Sequence, residues 1–177
     1  MTFSIPNLET QRLILRAPKD KDLKAQAAFF ASERSHFVGG PKPLGGAWQF
    51  LTLMLGHWQM RGFGMWVVQD KTSNAAVGMV GHYYPVGWPE REIGWHIWNA
   101  KTEGKGIAYE AAIAARDFAY RVLGWKTQVS YIAPDNTRSI ALAERMGAKI
   151  DRSAALPETG EETPLAAYRH PSPEALS

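Results

Sequence analysis

The chain has 177 residues, one domain's worth, and its 45% hydrophobic and 21% charged residues are an ordinary globular balance. It contains no cysteine, which excludes a disulfide framework, a thiolate metal site and a cysteine nucleophile and fits a reducing cytoplasm. Its net charge of +3 is spread too thinly for a nucleic-acid footprint, no apolar run reaches membrane-span length, and the first residues carry no export signal, so neither nucleic acid nor membrane is an expected partner.

In chain order, Gln11–Ala17 reads as a first strand stopped by Pro18, and a helix capped by Asp20 or Asp22 runs to Ser32. Residues 39–46, rich in glycine and proline, read as a loop before a helix over Ala47–Met60, where Phe50, Leu51, Met54, Leu55 and Trp58 recur at helical spacing. Gly64–Lys71 and Ala75–Tyr84 flank the turn residues Thr72–Asn74 as a hairpin, and Arg91–Trp98 forms a further strand. The strongest helix, Ile107–Leu123, follows a glycine-bearing turn and ends at Gly124. Then come a strand at Thr127–Ala133, a helix at Thr137–Met146, strands at Ala148–Arg152 and Leu165–Arg169 separated by a polar loop at Pro157–Thr163, and a frayed tail over 171–177. This order predicts one α/β domain, residues 1–177 with a core of about 8–170. Six to seven strands form a mixed, mostly antiparallel central sheet flanked by about four helices. Seven tryptophans read mainly as core fillers, with a few lining a cleft as the functional alternative.

The segment that carries chemistry is Glu103–Ala111, E-G-K-G-I-A-Y-E-A-A, between a strand and a helix. Two glycines let the chain turn with its amides inward and no side chain over a ligand. The helix that follows offers unpaired N–H donors and the positive end of its dipole, a socket for an anion such as a diphosphate. A P-loop would need Lys-Ser/Thr after the last glycine, where Ile107 and Ala108 stand. A dinucleotide fingerprint would need a third glycine or alanine at other spacing and a place at the first strand. By itself the turn also fits a plain loop before an alanine-rich helix.

The context of this turn resembles the GNAT superfamily of acyl-CoA N-acyltransferases. Glu103, Gly106 and Ala108 fall on the fixed places of its Gln/Arg-x-x-Gly-x-Gly/Ala signature, Glu103 replacing the usual Gln or Arg, so the grip there rests with backbone amides. Glu9–Arg16, Glu92–Trp95, Asn136-x-x-Ser139 and Arg145–Ala148 extend the likeness toward the subgroup of ribosomal-protein N-terminal acetyltransferases. The resemblance implies a sheet splayed between the fourth and fifth predicted strands, with the pantetheine arm of acetyl-CoA in the gap. Backbone groups of Ile97 and Trp98 would pair with that arm, and the amides of Gly104, Lys105, Gly106, Ile107 and Ala108 would hold the diphosphate. Lys105 would add a charge contact, while Asn136 and Ser139 would sit near the thiol. A homodimer is implied only by the resemblance.

Acetyl transfer needs a deprotonated amine, and an amine of pKa about 8 to 10 needs a base. Glu92 and His96, four apart on one strand, share a face and are the candidates, with salt-bridge and core-histidine roles as their structural alternatives and a substrate-positioned water as the remaining route. The tyrosine that donates to the leaving thiolate in many superfamily members corresponds to Ala143, which leaves Ser139 as donor and Tyr131 in reserve. Trp48, Tyr84 and Trp88 are candidate walls for the acceptor, a small-molecule amine or a protein N-terminus. Histidine spacing suggests no metal site, and no Gly-x-Ser-x-Gly elbow supports a hydrolase. An acetyl-CoA sensor without turnover and a nucleotide-binding domain remain the competing readings.

Overall fold

The computed structural model describes residues 4–159 and 164–177; Met1–Phe3 and the second half of the polar loop expected at Pro157–Thr163 lie outside the described residues. Eight strands form one sheet: β1 (Leu8–Glu9), β2 (Leu13–Arg16), β3 (Met65–Asp70), β4 (Ala76–Tyr83), β5 (Glu92–Ile97), β6 (Val129–Ile132), β7 (Lys149–Ile150) and β8 (Ala166–Arg169). Their spatial order is β1-β2-β3-β4-β5-β6-β8-β7. Four helices flank them: α1 (Leu23–Phe30), α2 (Leu44–Arg61), α3 (Ile107–Arg121) and α4 (Thr137–Arg145). The strand beyond the expected count is β1, split from β2 where Thr10 turns the chain by pairing with Leu13.

Every neighbouring pair is antiparallel except β5 and β6, which run parallel and meet at a single register position, Glu92 opposite Val129. Past that point the two strands part toward their C-terminal ends. This is the expected splay, now numbered β5/β6 because of the extra β1.

Alternation along the strands sorts side chains into two cores, which is why the central strands read as near-continuous apolar runs. Leu13, Leu15, Trp66, Val68, Val80 and Ile93 pack beneath α3 against Ala111, Ala112, Ala115 and Ala119. Met65, Val67 and Met79 face the other way, onto Phe29 and Phe30 of α1 and Ala47, Leu51 and Met54 of α2. The alanine stripe of α3 lets that helix lie close over the sheet beside the splay.

Three boundaries differ from the pattern reading. α1 stops at Phe30, and a 3₁₀ segment, Glu33–Val38, continues to Gly39. α2 begins three residues early, after Pro43, and runs through Gly45 and Gly46 despite their poor propensity. Beyond His170, where frayed chain is expected, Ser172 caps a turn at Pro173–Leu176 that ties back through a Glu174–Lys126 ion pair.

Candidate functional site

The turn before α3 is built by two residues with left-handed backbone, Gly104 (φ +72°) and Gly106 (φ +76°), the latter in the N-cap position with no side chain capping the helix. Among the described residues no hydrogen-bond acceptor takes the N–H groups of Gly104, Lys105, Gly106, Ile107 or Ala108. A Cβ added to Gly104 would meet nothing within 4 Å, and one added to Gly106 would lie 3.5 Å from the Arg12 guanidinium. The site thus fits an anionic group of diphosphate size. An open groove of about 750 Å³ leads from the turn along α3 past Tyr109, and the Arg145 guanidinium lies 4.1 Å from the centre of that ring.

Arginines frame the turn. Arg12 donates to the Lys105 carbonyl (2.9 Å) and pairs with Glu110 (2.6 Å). Glu103, immediately before Gly104, pairs with Arg34 through one carboxylate oxygen and with Arg138 through the other (2.8 Å). Arg34 also donates to the carbonyls of Ile97 (2.9 Å) and Trp98 (2.8 Å), the strand end expected to pair with a pantetheine arm. Lys105 is exposed.

On the α4 side of the splay, Asn136 caps its own helix by accepting from the Ser139 N–H (3.3 Å). The Trp95 indole N–H donates to Ser139 Oγ (3.2 Å), which leaves the Ser139 hydroxyl proton to donate elsewhere. Trp95 bridges the core under α3 and a small cluster holding Ile132, Ala148 and Tyr168. Ala143 belongs to that cluster and is fully buried, so no hydroxyl stands there.

On the opposite face, Glu92 lies where strand pairing gives out. Its Oε2 accepts from the Trp88 indole (2.7 Å), and the Tyr131 backbone N–H also reaches the carboxylate. Its Oε1 lies 3.8 Å from the point a Cβ on Gly94 would occupy, an ordinary contact distance. Surrounding protein strips water from Glu92 and lifts its carboxyl to about 7, against the pull of those two donors, although part of the residue still opens to the cleft. The Tyr131 hydroxyl donates to the Ala155 carbonyl (3.3 Å), and burial together with Glu90 and Glu92 holds it protonated, up to about 12.

His96 shares the Glu92 face but is differently placed. It is buried against Phe29, Phe30 and Phe50, and its Nδ1 accepts from the Trp98 indole (2.9 Å), which puts the proton on Nε2. Burial lowers it to about 3. Its one basic lone pair is spent, so the geometry gives it the part of a core histidine.

Of the expected acceptor walls, only Trp88 stands beside Glu92. Trp48 is 52% exposed on α2. Tyr84 points to the α3 core beneath Arg61. The residue in that place is Tyr83, paired in register with Glu92 and packed edge-on to Trp88 at 5.3 Å. Strand alternation held the signal: a residue opposite Glu92 must share its face. The pairing of Arg34 and Arg138 with Glu103 joins residues 69 and 35 positions apart and had no local signal.

A family model described as an acetyltransferase (GNAT) domain matches residues 12–149. The chain belongs to the GNAT acetyltransferase family. It is similar to an acetyltransferase from Agrobacterium tumefaciens at 36% identity, with 96% of each chain covered and a TM-score of 0.86. The fold is shared with a ribosomal-protein-S5-alanine acetyltransferase from Vibrio fischeri (17% identity, 97% and 99% covered, TM-score 0.70). It is also shared with the microcin C7 self-immunity acetyltransferase MccE, whose structure contains acetyl-CoA and AMP (17% identity, 91% and 92% covered, TM-score 0.68). Among the described residues of this GNAT protein no three His, Asp or Glu side chains converge as a metal site, and no helix is long and apolar enough to cross a membrane.

Proposed function

We propose that this GNAT protein transfers the acetyl group of acetyl-CoA to a primary amine, a small molecule or a protein N-terminus, by direct attack in a ternary complex. The observation that carries the reading is the run of unpaired amides from Gly104 to Ala108 at the mouth of the β5/β6 splay, with Glu92 inside it. Acetyl-CoA would supply the activated thioester. The turn would hold the diphosphate on its amides and the start of the α3 dipole. The arm would lie along β5, where the Ile97 and Trp98 carbonyls are already engaged by Arg34 and the remaining backbone edge is available.

Glu92 is the base in this reading. A carboxyl near 7 is half ionised at neutral pH and, being desolvated, strong enough to take a proton from a bound ammonium. Trp88 and Tyr83 shape the approach, and Trp88 holds the carboxylate in place. Ser139, its oxygen engaged by Trp95, presents its proton to the leaving sulfur, and Asn136 places Ser139 by capping α4.

The decisive experiment is acceptor-dependent thiol release from acetyl-CoA with a panel of primary amines and N-terminal peptides. The proposal requires release with at least one class of amine. Binding of acetyl-CoA without release from any would favour a sensor, for which the buried Ala143 in place of a tyrosine is the supporting observation.

A further inference from the structure

Three arginines converge on the glycine turn, and they are held in different ways. Arg12 is locked by Glu110, which also accepts from the Thr10 hydroxyl (2.5 Å) and the Arg12 N–H (2.9 Å), and its remaining edge serves the Lys105 carbonyl. Arg34 is more committed: two main-chain carbonyls and one oxygen of Glu103 take its N–H groups, and its plane lies 5.4 Å from the Phe29 ring centre. Both are parts of the fold. Arg138 is not. It rises from the first turn of α4, on the far side of the splay, with 84% of its side chain exposed and one hydrogen bond, to Glu103 Oε2.

An exposed ion pair of this kind is weak and cheap to exchange, whereas a guanidinium on a phosphate can form two parallel charge-assisted bonds. The partner that holds Arg138 is the residue directly before the open amides. We propose that Arg138 is a coenzyme-binding residue that moves from Glu103 to the diphosphate, closing the splay from the α4 side, and that Glu103 sets the cost of the exchange. The inference rests on the reading that the glycine turn holds that diphosphate. It gives a reason for a carboxylate at the position where the family has Gln or Arg: Gln would hold a guanidinium only by a neutral hydrogen bond, and Arg would repel it.

The test is calorimetric titration of the full chain with acetyl-CoA, and ligand-induced thermal shift with acetyl-pantetheine, which has the same arm and no diphosphate. The Arg138→Ala variant should bind acetyl-CoA about tenfold more weakly, as expected for one charge-assisted pair, and keep the wild-type shift with acetyl-pantetheine. Glu103→Gln should tighten acetyl-CoA severalfold, and that gain should vanish in the Glu103→Gln/Arg138→Ala double variant. Unchanged acetyl-CoA affinity in Arg138→Ala, or an equal loss with both ligands, would overturn the proposal, as would weaker binding in a folded Glu103→Gln. Should Glu103→Gln fail to fold because Arg34 loses its carboxylate, Arg138→Ala carries the test alone. Wild-type protein that binds neither ligand would sink the coenzyme reading itself, a separate result from wild-type binding that Arg138→Ala leaves intact.

Discussion

The two sides of the splay solve opposite problems. On the α3 and α4 side the working groups are main-chain amides and arginines, exposed or held by surface carboxylates, and none changes charge near neutral pH. On the α1 and α2 side stand ring faces and buried titratable side chains: Glu92, the proposed base, raised to about 7, and the core histidine His96, lowered to about 3, both by loss of water. On the proposed reading, a charged, constant ligand is met by fixed dipoles, and a proton that must move is met by a group held out of water. The glycine-turn half is thus specified by backbone conformation, and the Glu92 half by what packs on it.

The largest effect that can set the halves apart is acid. His82, His96 and His170 are buried and neutral, with desolvation lowering them from 6.5 to about 4, 3 and 3. The unfolded chain therefore takes up protons first, so the stability present above pH 6.5 is lost as pH falls toward those values. Unfolding midpoints should drop steeply between pH 6.5 and 4; a flat profile would contradict the buried neutral state. Between pH 8 and 6.5, where the fold holds, acetyl-CoA affinity should stay constant while kcat falls as Glu92 is protonated.

Next is the base. Glu92→Gln should lower kcat about a hundredfold or more, abolish the limb near pH 7, and leave acetyl-CoA affinity unchanged. The same variant should melt higher at pH 8. The Glu92 carboxyl is raised in the fold, so its contribution to stability is complete below the unfolded value of 4.5 and is lost as pH rises through about 7, and glutamine removes that penalty. A profile unchanged in Glu92→Gln would assign the proton to water.

Smaller is a backbone comparison on the coenzyme side. Gly104 and Gly62 have nearly the same left-handed backbone (φ +72° and +75°), and an added Cβ meets nothing within 4 Å at either. Gly104→Ala and Gly62→Ala should lose similar stability, roughly 1 kcal/mol. Only Gly104→Ala should weaken acetyl-CoA, by about tenfold, because only there does the methyl group stand among the ligand-facing amides. Equal affinities would move the anion away from the turn. Smallest is Ser139→Ala, worth one hydrogen bond to the leaving sulfur and a three- to tenfold fall in kcat, roughly. Full turnover would remove Ser139 from that role.

The legibility of the molecule follows the same division. The turn was readable because glycine at 104 and 106 answers a local demand for positive φ, and the alanines of α3 answer a local demand for close packing. The order of strands and helices was readable from apolar periodicity, apart from the break at Thr10 that makes β1 and the helical glycines at the start of α2. The acceptor cleft depends on register. Tyr83 and Tyr84 are one residue apart, yet Tyr83 lies opposite Glu92 while Tyr84 packs against the α3 core, since neighbours on a strand face opposite ways. The surroundings that set Glu92 and His96 apart depended on Trp98, which takes the lone pair of His96, and on Trp88, which holds the Glu92 carboxylate. The arginine frame depended on contacts across the splay that no spacing encodes.

On the proposed function the amides from Gly104 to Ala108 receive the diphosphate of acetyl-CoA. Titrating ¹⁵N-labelled protein with acetyl-CoA and following the Gly104, Gly106 and Ala108 amide resonances tests it most directly. Large downfield proton shifts at these positions, saturating together with ligand, are expected. Saturable binding that shifts other amides and leaves these in place would contradict it.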